Sequence, residues 1–336
     1  MDVMAAWMET VYRAEIPWIR DYQESCKGPD GAWAELWNRA TKLGDPAWAF
    51  YVFFPLMYPF TRIHSIKFLV AAIVSEFANG ILKWALHGHR PYWFVKKAGL
   101  AELPQYEFTC ETGPGNPSGH VMVTTAVLSA ILLQIHSKCL TRLLLWGCAV
   151  GLVVLVGLSR VFISAHFFHQ VGLGALGGLI IARIVASWRP QHWTLTHYLA
   201  LAFILILSAA VTYTGVEDLG VSPNWSLEEA AGACAQSEWI HVSTTPISAL
   251  IRDIGALAAL AIVSLAPELL GPLGKLRKYR SRRLPLAIIN LLLLQAAMRF
   301  TPMPEELTSY YTAYGFLNMA VILLCFTTTA IVQRAY

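Results

Sequence analysis

Long apolar runs separated by short polar breaks dominate the chain. Nine runs read as helical spans, at about 46–63, 66–86, 118–136, 142–160, 167–187, 197–215, 247–266, 284–300 and 314–332. Most are roughly 17 to 22 residues long, enough for a helix to cross a hydrocarbon core. Pro46, Pro55 and Pro59 break the first run, which membrane helices tolerate better than soluble ones. Gly172, Gly174, Gly177 and Gly178 crowd the fifth, a pattern for close helix packing. These elements predict an all-α polytopic membrane protein of about nine transmembrane helices, with no separate soluble core. Residues 1–43 lack the apolar segment of a cleavable signal peptide. Trp7, Tyr12, Trp18, Tyr22, Trp33 and Trp37 instead suggest a segment lying at the membrane interface, with a plain soluble tail as the alternative. The domain reading is an N-terminal segment, 1–43, followed by one transmembrane domain, 44–336.

Composition agrees. Of 336 residues, 56% are hydrophobic and 14% charged, against about 25% charged in soluble domains. The net charge of +4 is modest, but Lys275, Arg277, Lys278, Arg280, Arg282 and Arg283 crowd one loop. Beside apolar spans such a cluster reads as a cytoplasmic anchor rather than a nucleic-acid patch. Parity then puts the loops near 62–67, 137–142 and 188–196 and the C-terminus on the cytoplasmic side. The N-terminus, 87–117, 160–167, 216–246 and 301–313 fall on the opposite side. The 216–246 loop carries Glu217, Asp218, Glu228, Glu229 and Glu238, no Lys or Arg, and the glycosylation triplet Asn224-Trp225-Ser226. Cys26, Cys110, Cys139, Cys148, Cys234 and Cys325 show no metal or redox spacing. Cys26, Cys110 and Cys234 share the non-cytoplasmic side, and their pairing is left open. No carboxylate cluster or HExxH stretch argues for a metal, and no cofactor is expected.

The polar groups at helix ends carry the chemistry. Lys83 and Arg90 lie at and beyond the end of the second span, and Ser118, Gly119 and His120 open the third. Arg160 ends the fourth and His166 opens the fifth. All fall on the same side under a topology drawn without them. A phosphate monoester is a dianion whose transfer spreads charge over three oxygens. Arg grips such oxygens with two donors and Lys acts as a point charge. The turns of "GPGNPSG" deliver a helix N-terminus close to a bound anion. One histidine can attack phosphorus while the other protonates the leaving oxygen and then activates water. Taken singly, each Arg reads as an interfacial anchor and each His as a satisfied polar residue. His87, His89, His136, His169, His192 and His197 read as bystanders.

The joint pattern Lys83-x6-Arg90-Pro91, Pro117-Ser118-Gly119-His120 and Ser159-Arg160-x5-His166 resembles the three-part signature of the type 2 phosphatidic-acid phosphatase superfamily. More narrowly, "KWALHGHRPYWFV", "TCETGPGNPSGH", "LSRVFISAHFFHQV" and "EWIHVSTTP" resemble the glucose-6-phosphatase catalytic subunit family, from about Asp45 to Asp253. The resemblance implies a nine-span enzyme of the endoplasmic reticulum. Its active site would lie at the luminal ends of the central helices, the N-terminus in the lumen and the C-terminus in the cytoplasm. It implies hydrolysis of glucose 6-phosphate or a close relative, with His166 as the nucleophile that becomes phosphohistidine and His120 as the acid. Lys83, Arg90 and Arg160 would hold the phosphoryl oxygens, with Ser118 and Gly119 adding donors. A separate sugar-phosphate transporter is the implied partner, alongside membrane lipid. The superfamily places an Asp four residues after the nucleophile; here Gln170 stands there, as in the narrower family, and Asp45 is expected to supply the missing carboxylate. The narrower family usually reads "HFPHQ", where this chain has Phe168. Glu76 shares a helix face with Asn79 and Lys83, and inside a span it is expected to support the site or pair internally. Trp239, His241, Thr244 and Thr245 resemble the family's luminal loop and are expected to close over the sugar. The competing readings are a lipid phosphate phosphatase, a transporter or non-catalytic phosphate binder, and a vanadate-binding haloperoxidase.

Overall fold

In the computed structural model, residues 2–26, 32–135, 138–266 and 282–334 are described. His136 and the basic cluster from Lys275 to Arg280 lie outside them; Arg282 and Arg283 lead into a helix. Every regular element among the described residues is helical. In chain order they are α1 (Asp2–Ser25), α2 (Ala32–Leu43), α3 (Pro46–Met57), α4 (Arg62–Leu86) and α5 (Pro91–Lys97). There follow α6 (Gly119–Leu132), α7 (Cys139–Phe162), α8 (Phe168–Ala186) and α9 (Leu195–Asp218). The last are α10 (Trp225–Ala233), α11 (Pro246–Leu265), α12 (Arg283–Phe300) and α13 (Leu307–Arg334).

Seven helices are long and apolar enough to cross a membrane: α4, α7, α8, α9, α11, α12 and α13. The first and third expected spans are shorter helices, α3 and α6. Both differences have local causes. The prolines of α3 accompany a wider turn at Ala49–Phe53. In α6 the helix begins only after Pro117 and ends at Leu132, so its buried stretch spans less than a bilayer.

The central helix is α4, buried along almost its whole length. Around it pack α6, α8, α9 and α11, while α13 lies along α11. The outer helices turn leucine-rich faces outward, as Leu140, Leu143, Phe203, Val211 and Leu292 illustrate. Such faces suit hydrocarbon, not water. The tightest pairing joins α6 to α8, and the expected glycine contact explains it in part. A Cβ on Gly174 would come within 2.7 Å of the Ser118 carbonyl oxygen, whereas Gly172 faces open space.

The N-terminal helices pack on the polar end of this bundle. Tyr12, Ile16 and Ile19 of α1 bury against Phe94, Val161 and Phe167. Trp37 and Ala40 of α2 bury against Phe162, Ile163 and Ala165. Trp7, Trp18 and Trp33 stay exposed on the other side of these helices, as aromatic side chains at a membrane interface would. A disulfide joins Cys110 to Cys234, tying the 98–117 segment to the one after α9. Cys26 is not part of it.

Candidate active site

Helix ends assemble the site. Lys83 sits in the last turn of α4, Arg90 precedes α5, His120 opens α6, Arg160 lies in the last turn of α7 and His166 just precedes α8. Arg90, Arg160 and His166 have no exposed surface. The side chain they surround is Glu111. Its Oε2 lies 2.9 Å from Arg90 Nη2 and 4.0 Å from His166 Nε2. Its Oε1 accepts from Arg160 Nη2 and lies 3.6 Å from His120 Nδ1. Two guanidinium groups and two imidazoles thus converge on one carboxylate. Burial alone would raise the Glu111 pKa, but Arg160, Arg90, His120 and Lys83 outweigh it and hold it well below the usual carboxylate range. The Lys83 ammonium belongs to the same group: a Cβ on Gly113 would lie 3.3 Å from Nζ.

Backbone acceptors and side chains from distant segments fix each cation. Arg90 donates through Nε to the Gly113 carbonyl at 2.8 Å and through Nη1 to the Ala165 carbonyl at 3.0 Å. Arg160 Nη1 donates to Thr41 Oγ1 of α2 at 2.8 Å and lies 3.5 Å from His120 Nε2. These bonds leave Nη2 of each guanidinium for the Glu111 carboxylate.

His166 is held as a nucleophile would need to be. Its Nδ1 lies 2.8 Å from the Gly115 carbonyl, which can only accept, so Nδ1 carries the proton. Gln170 Oε1 lies 3.2 Å from the same nitrogen. The other nitrogen, Nε2, keeps its lone pair and faces Glu111 and Arg90. Burial, then Arg90 and Arg160, hold the His166 pKa well below the ordinary histidine value, so the ring is neutral. Gln170 is fixed in turn, accepting from Phe167 N and donating from Nε2 to the His89 carbonyl at 2.7 Å. Gly115 must be glycine here, because a Cβ would meet the His89 carbonyl oxygen at 2.6 Å.

The carboxylate expected from Asp45 is therefore not the partner of His166. Asp45 Oδ1 instead accepts from Ala47 N at 2.9 Å, capping α3, and the side chain lines the neighbouring cavity. The role of Ser118 also changes. Its backbone N–H donates to the Gln170 carbonyl, which leaves the first N–H groups of α6, at Gly119 and His120, as the helix-end donors. The Ser118 hydroxyl is buried and has no partner among the described residues.

Glu76 does pair internally, with Arg252 of α11. Asn79 Nδ2 donates to the Pro117 carbonyl at 3.1 Å, fixing the approach of α4 to α6. Of the remaining histidines, His169 Nδ1 lies 2.9 Å from Glu15 of α1, and His197 caps α9 through Thr194. His89 packs between Tyr12 and Trp225, and His87 closes α4 in a left-handed conformation at φ 47. Where the narrower family has proline, the N–H of Phe168 donates to Glu15 Oε2 at 2.7 Å, a bond proline could not make.

Beside the carboxylate cluster opens a cavity of about 480 Å³. It is reached by the starts of α3, α6, α11 and α13 and by the ends of α4, α7 and α12. Lys83, Glu111, His120 and Arg160 line its wall, as do Asp45, Glu76, Asn79 and Arg252. Trp239, His241, Thr244 and Thr245 line it too, from the loop before α11.

Sequence reasoning missed Glu111, Thr41, Glu15 and Arg252. Only Glu111 had a local signal: it begins the "ETGPGNPSGH" stretch that holds the Pro-Ser-Gly-His turn.

Comparison with known proteins follows the same lines. The PAP2 superfamily profile matches residues 64–194, the interval that includes Lys83, Arg90, Glu111, His120, Arg160 and His166. The chain is 36% identical to human Glucose-6-phosphatase 3 over 70% of this chain and 72% of that one. It is 33% identical to human Glucose-6-phosphatase 2 over 85% and 86%. Against the dog Glucose-6-phosphatase catalytic subunit 1 it is 32% identical over 79% of each. No solved structure matches the chain with significance.

Proposed function

The chain belongs to the glucose-6-phosphatase family and carries a PAP2 superfamily segment, and on that premise we propose that it hydrolyses glucose 6-phosphate, or a closely related sugar phosphate, to sugar and inorganic phosphate. One observation carries the reading. Arg90 and Arg160 hold the Glu111 carboxylate as they would hold an oxyanion of phosphorus, with His120 and His166 facing it.

In the proposed reaction the phosphoryl group takes the place of that carboxylate. Arg90, Arg160 and Lys83 neutralise its oxygens, with the Gly119 and His120 N–H groups and the Ser118 hydroxyl as further donors. His166 Nε2 attacks phosphorus. The N–P bond forms as the bond from phosphorus to the sugar oxygen breaks, and His120 gives its proton to that oxygen. His120 then takes a proton from water, whose oxygen attacks phosphorus and releases phosphate and His166. Gly115 and Gln170 hold the Nδ1 proton throughout. The acidic and polar groups that line the cavity favour a sugar over an acyl chain.

We place the cavity on the luminal side of the endoplasmic reticulum, with the N-terminus on that side and the C-terminus in the cytoplasm. The Cys110–Cys234 disulfide supports an oxidising side. The helix ends that meet at the cavity alternate in direction along the chain, which supports one side for the whole site. A luminal site would take its substrate through a separate sugar-phosphate transporter.

Rapid quenching of purified protein with labelled glucose 6-phosphate tests the mechanism. An acid-labile, base-stable phosphoprotein is expected, and His166→Ala removes it. Label that persists in the variant reassigns the nucleophile, and faster turnover on lipid phosphates than on sugar phosphates in the same assay reassigns the substrate.

A further inference from the structure

We propose that Glu76 and Arg252 form a hydroxyl-recognising subsite that selects a hexose over other phosphate esters. The inference rests on the phosphatase reading above and adds where the sugar lies and what reads it.

Placement comes first. Glu76, Asn79 and Lys83 share one face of α4, and all three line the cavity. Seven residues separate Glu76 from Lys83 in the helix, a rise of about 10 Å. That is the order of distance from a phosphoryl group to the far side of a six-membered sugar. Arg252 of α11 lines the same wall and donates through Nη2 to Glu76 Oε1. The guanidinium also packs over the Phe50 ring at 5.2 Å, which fixes its plane.

Energetics come next. Both side chains are close to fully buried, at 5% and 7% exposure, within helices long and apolar enough to cross a membrane. An ionisable group at mid-helix costs roughly 2.5–3.5 kcal/mol on insertion scales, and a buried ion pair often stabilises no better than well-packed apolar residues. Stability is therefore a weak reason for a charged pair here. The pair is also incomplete. Arg252 Nε has no hydrogen-bond partner among the described residues, and the Glu76 carboxyl is shared between Arg252 and the Asp253 side chain. The adjacent Asp253 carboxyl is fully buried.

The charge balance tells what kind of group fits. Here two carboxyls, Glu76 and Asp253, face one guanidinium, whereas three basic side chains face Glu111 at the other end. A second anion has no cation surplus to meet. Neighbouring hydroxyls of a pyranose can donate to the carboxylate and accept from the guanidinium at once. A hydrocarbon chain could do neither and would leave the pair buried without compensation.

The test compares glucose 6-phosphate with its 2-, 3- and 4-deoxy analogues on the purified full-length protein, reading the ratio of kcat/KM values. The wild type is expected to prefer glucose 6-phosphate over at least one analogue by about tenfold or more. In Arg252→Gln and Glu76→Gln that ratio falls toward one. Glu76→Asp keeps the charge, and so serves if the amide variants do not fold; it is expected to narrow the ratio. A purely structural ion pair would lower all substrates in proportion and keep the wild-type ratio, which overturns the proposal. A wild type that turns over every analogue as well as glucose 6-phosphate overturns the subsite alone. A wild type inactive on all of these phosphates removes the phosphatase reading together with it.

Discussion

Two buried carboxylate–guanidinium contacts line one cavity, and they are built to different ends. At Glu111, one carboxylate sits among Arg90, Arg160 and Lys83, with two histidines turned inward. At Glu76, Arg252 meets one carboxylate directly and has Asp253 beside it. The first cluster has more positive groups than its own carboxylate can balance, so an incoming dianion improves the balance. The second has no positive charge to spare, so a neutral polyhydroxylated group can join it without adding charge. The difference matches the two halves of a sugar phosphate. A buried ion pair does not by itself announce a ligand; the surplus or balance around it tells which ligand to expect.

The sharpest way to break this comparison is to remove a cation from the first cluster. Arg160→Ala takes away the Nη2 bond to Glu111 Oε1 and the bond to Thr41. Turnover of glucose 6-phosphate is expected to fall on the order of 10³-fold, as loss of an arginine that stabilises a transferring phosphoryl group does. The loss should appear equally with the deoxy sugars, because the phosphoryl group is common to all. Single-turnover rates with each substrate check this. If Arg160→Ala changed the sugar preference while Arg252→Gln lowered all substrates alike, the two ends would have been assigned the wrong way round.

A smaller effect is expected on removing the resident anion. Glu111→Gln leaves two buried guanidinium groups without their carboxylate, which costs about 3–5 kcal/mol when a buried pair is broken. The variant should unfold at lower temperature, and millimolar inorganic phosphate should restore more stability to it than to the wild type. Affinity for inorganic phosphate is expected to rise about tenfold, since the ligand no longer competes with a tethered carboxylate. Calorimetric titration measures that directly. The pH arm has a definite sign. The Glu111 pKa is depressed in the folded state, so its contribution to stability is present above the ordinary carboxylate value of 4.5 and is lost as pH falls through the depressed value. In Glu111→Gln that acid-side loss should shrink. Unchanged phosphate affinity would mean that Glu111 does not occupy the phosphoryl position.

The sequence shows the cations and histidines because each sits at a helix end at a set interval from its neighbours. Lys83, Arg90, His120, Arg160 and His166 needed only a count of apolar runs to fall on one side, and the structure brings them together. Glu111 was not legible. It follows a cysteine in a polar loop, where a carboxylate looks like any solvated acid, and the groups that give it meaning come from α5, α6 and α7. Glu76 drew notice as an acid within a span, but its partner lies 176 residues away, beyond any local pattern. The same holds for Cys110 and Cys234, at a separation of 124. Asp45 misled because a carboxylate near the right helix end fits the chemistry. Only geometry shows Gly115 and Gln170 already holding the His166 proton.

The smallest functional effect belongs to a further buried carboxylate, Glu15, which serves as a control for Glu111 and Glu76. Glu15 of α1 accepts from Phe168 N at 2.7 Å and His169 N at 3.3 Å, and it lies 2.9 Å from His169 Nδ1. It thereby meets the first N–H groups of α8, where a negative charge is favoured by the helix dipole. The contact stabilises the turn behind His166 but faces neither the phosphoryl cluster nor the cavity. Glu15→Ala is expected to lower stability by about 1–2 kcal/mol, the usual cost of a lost helix cap, read as a drop in Tm. The preference for glucose 6-phosphate over its deoxy analogues should stay at the wild-type ratio, and phosphate affinity should not rise as it does in Glu111→Gln. A shift in either would show that the carboxylates of this protein act through one coupled network. The separate phosphoryl and hydroxyl ends would then merge into a single site.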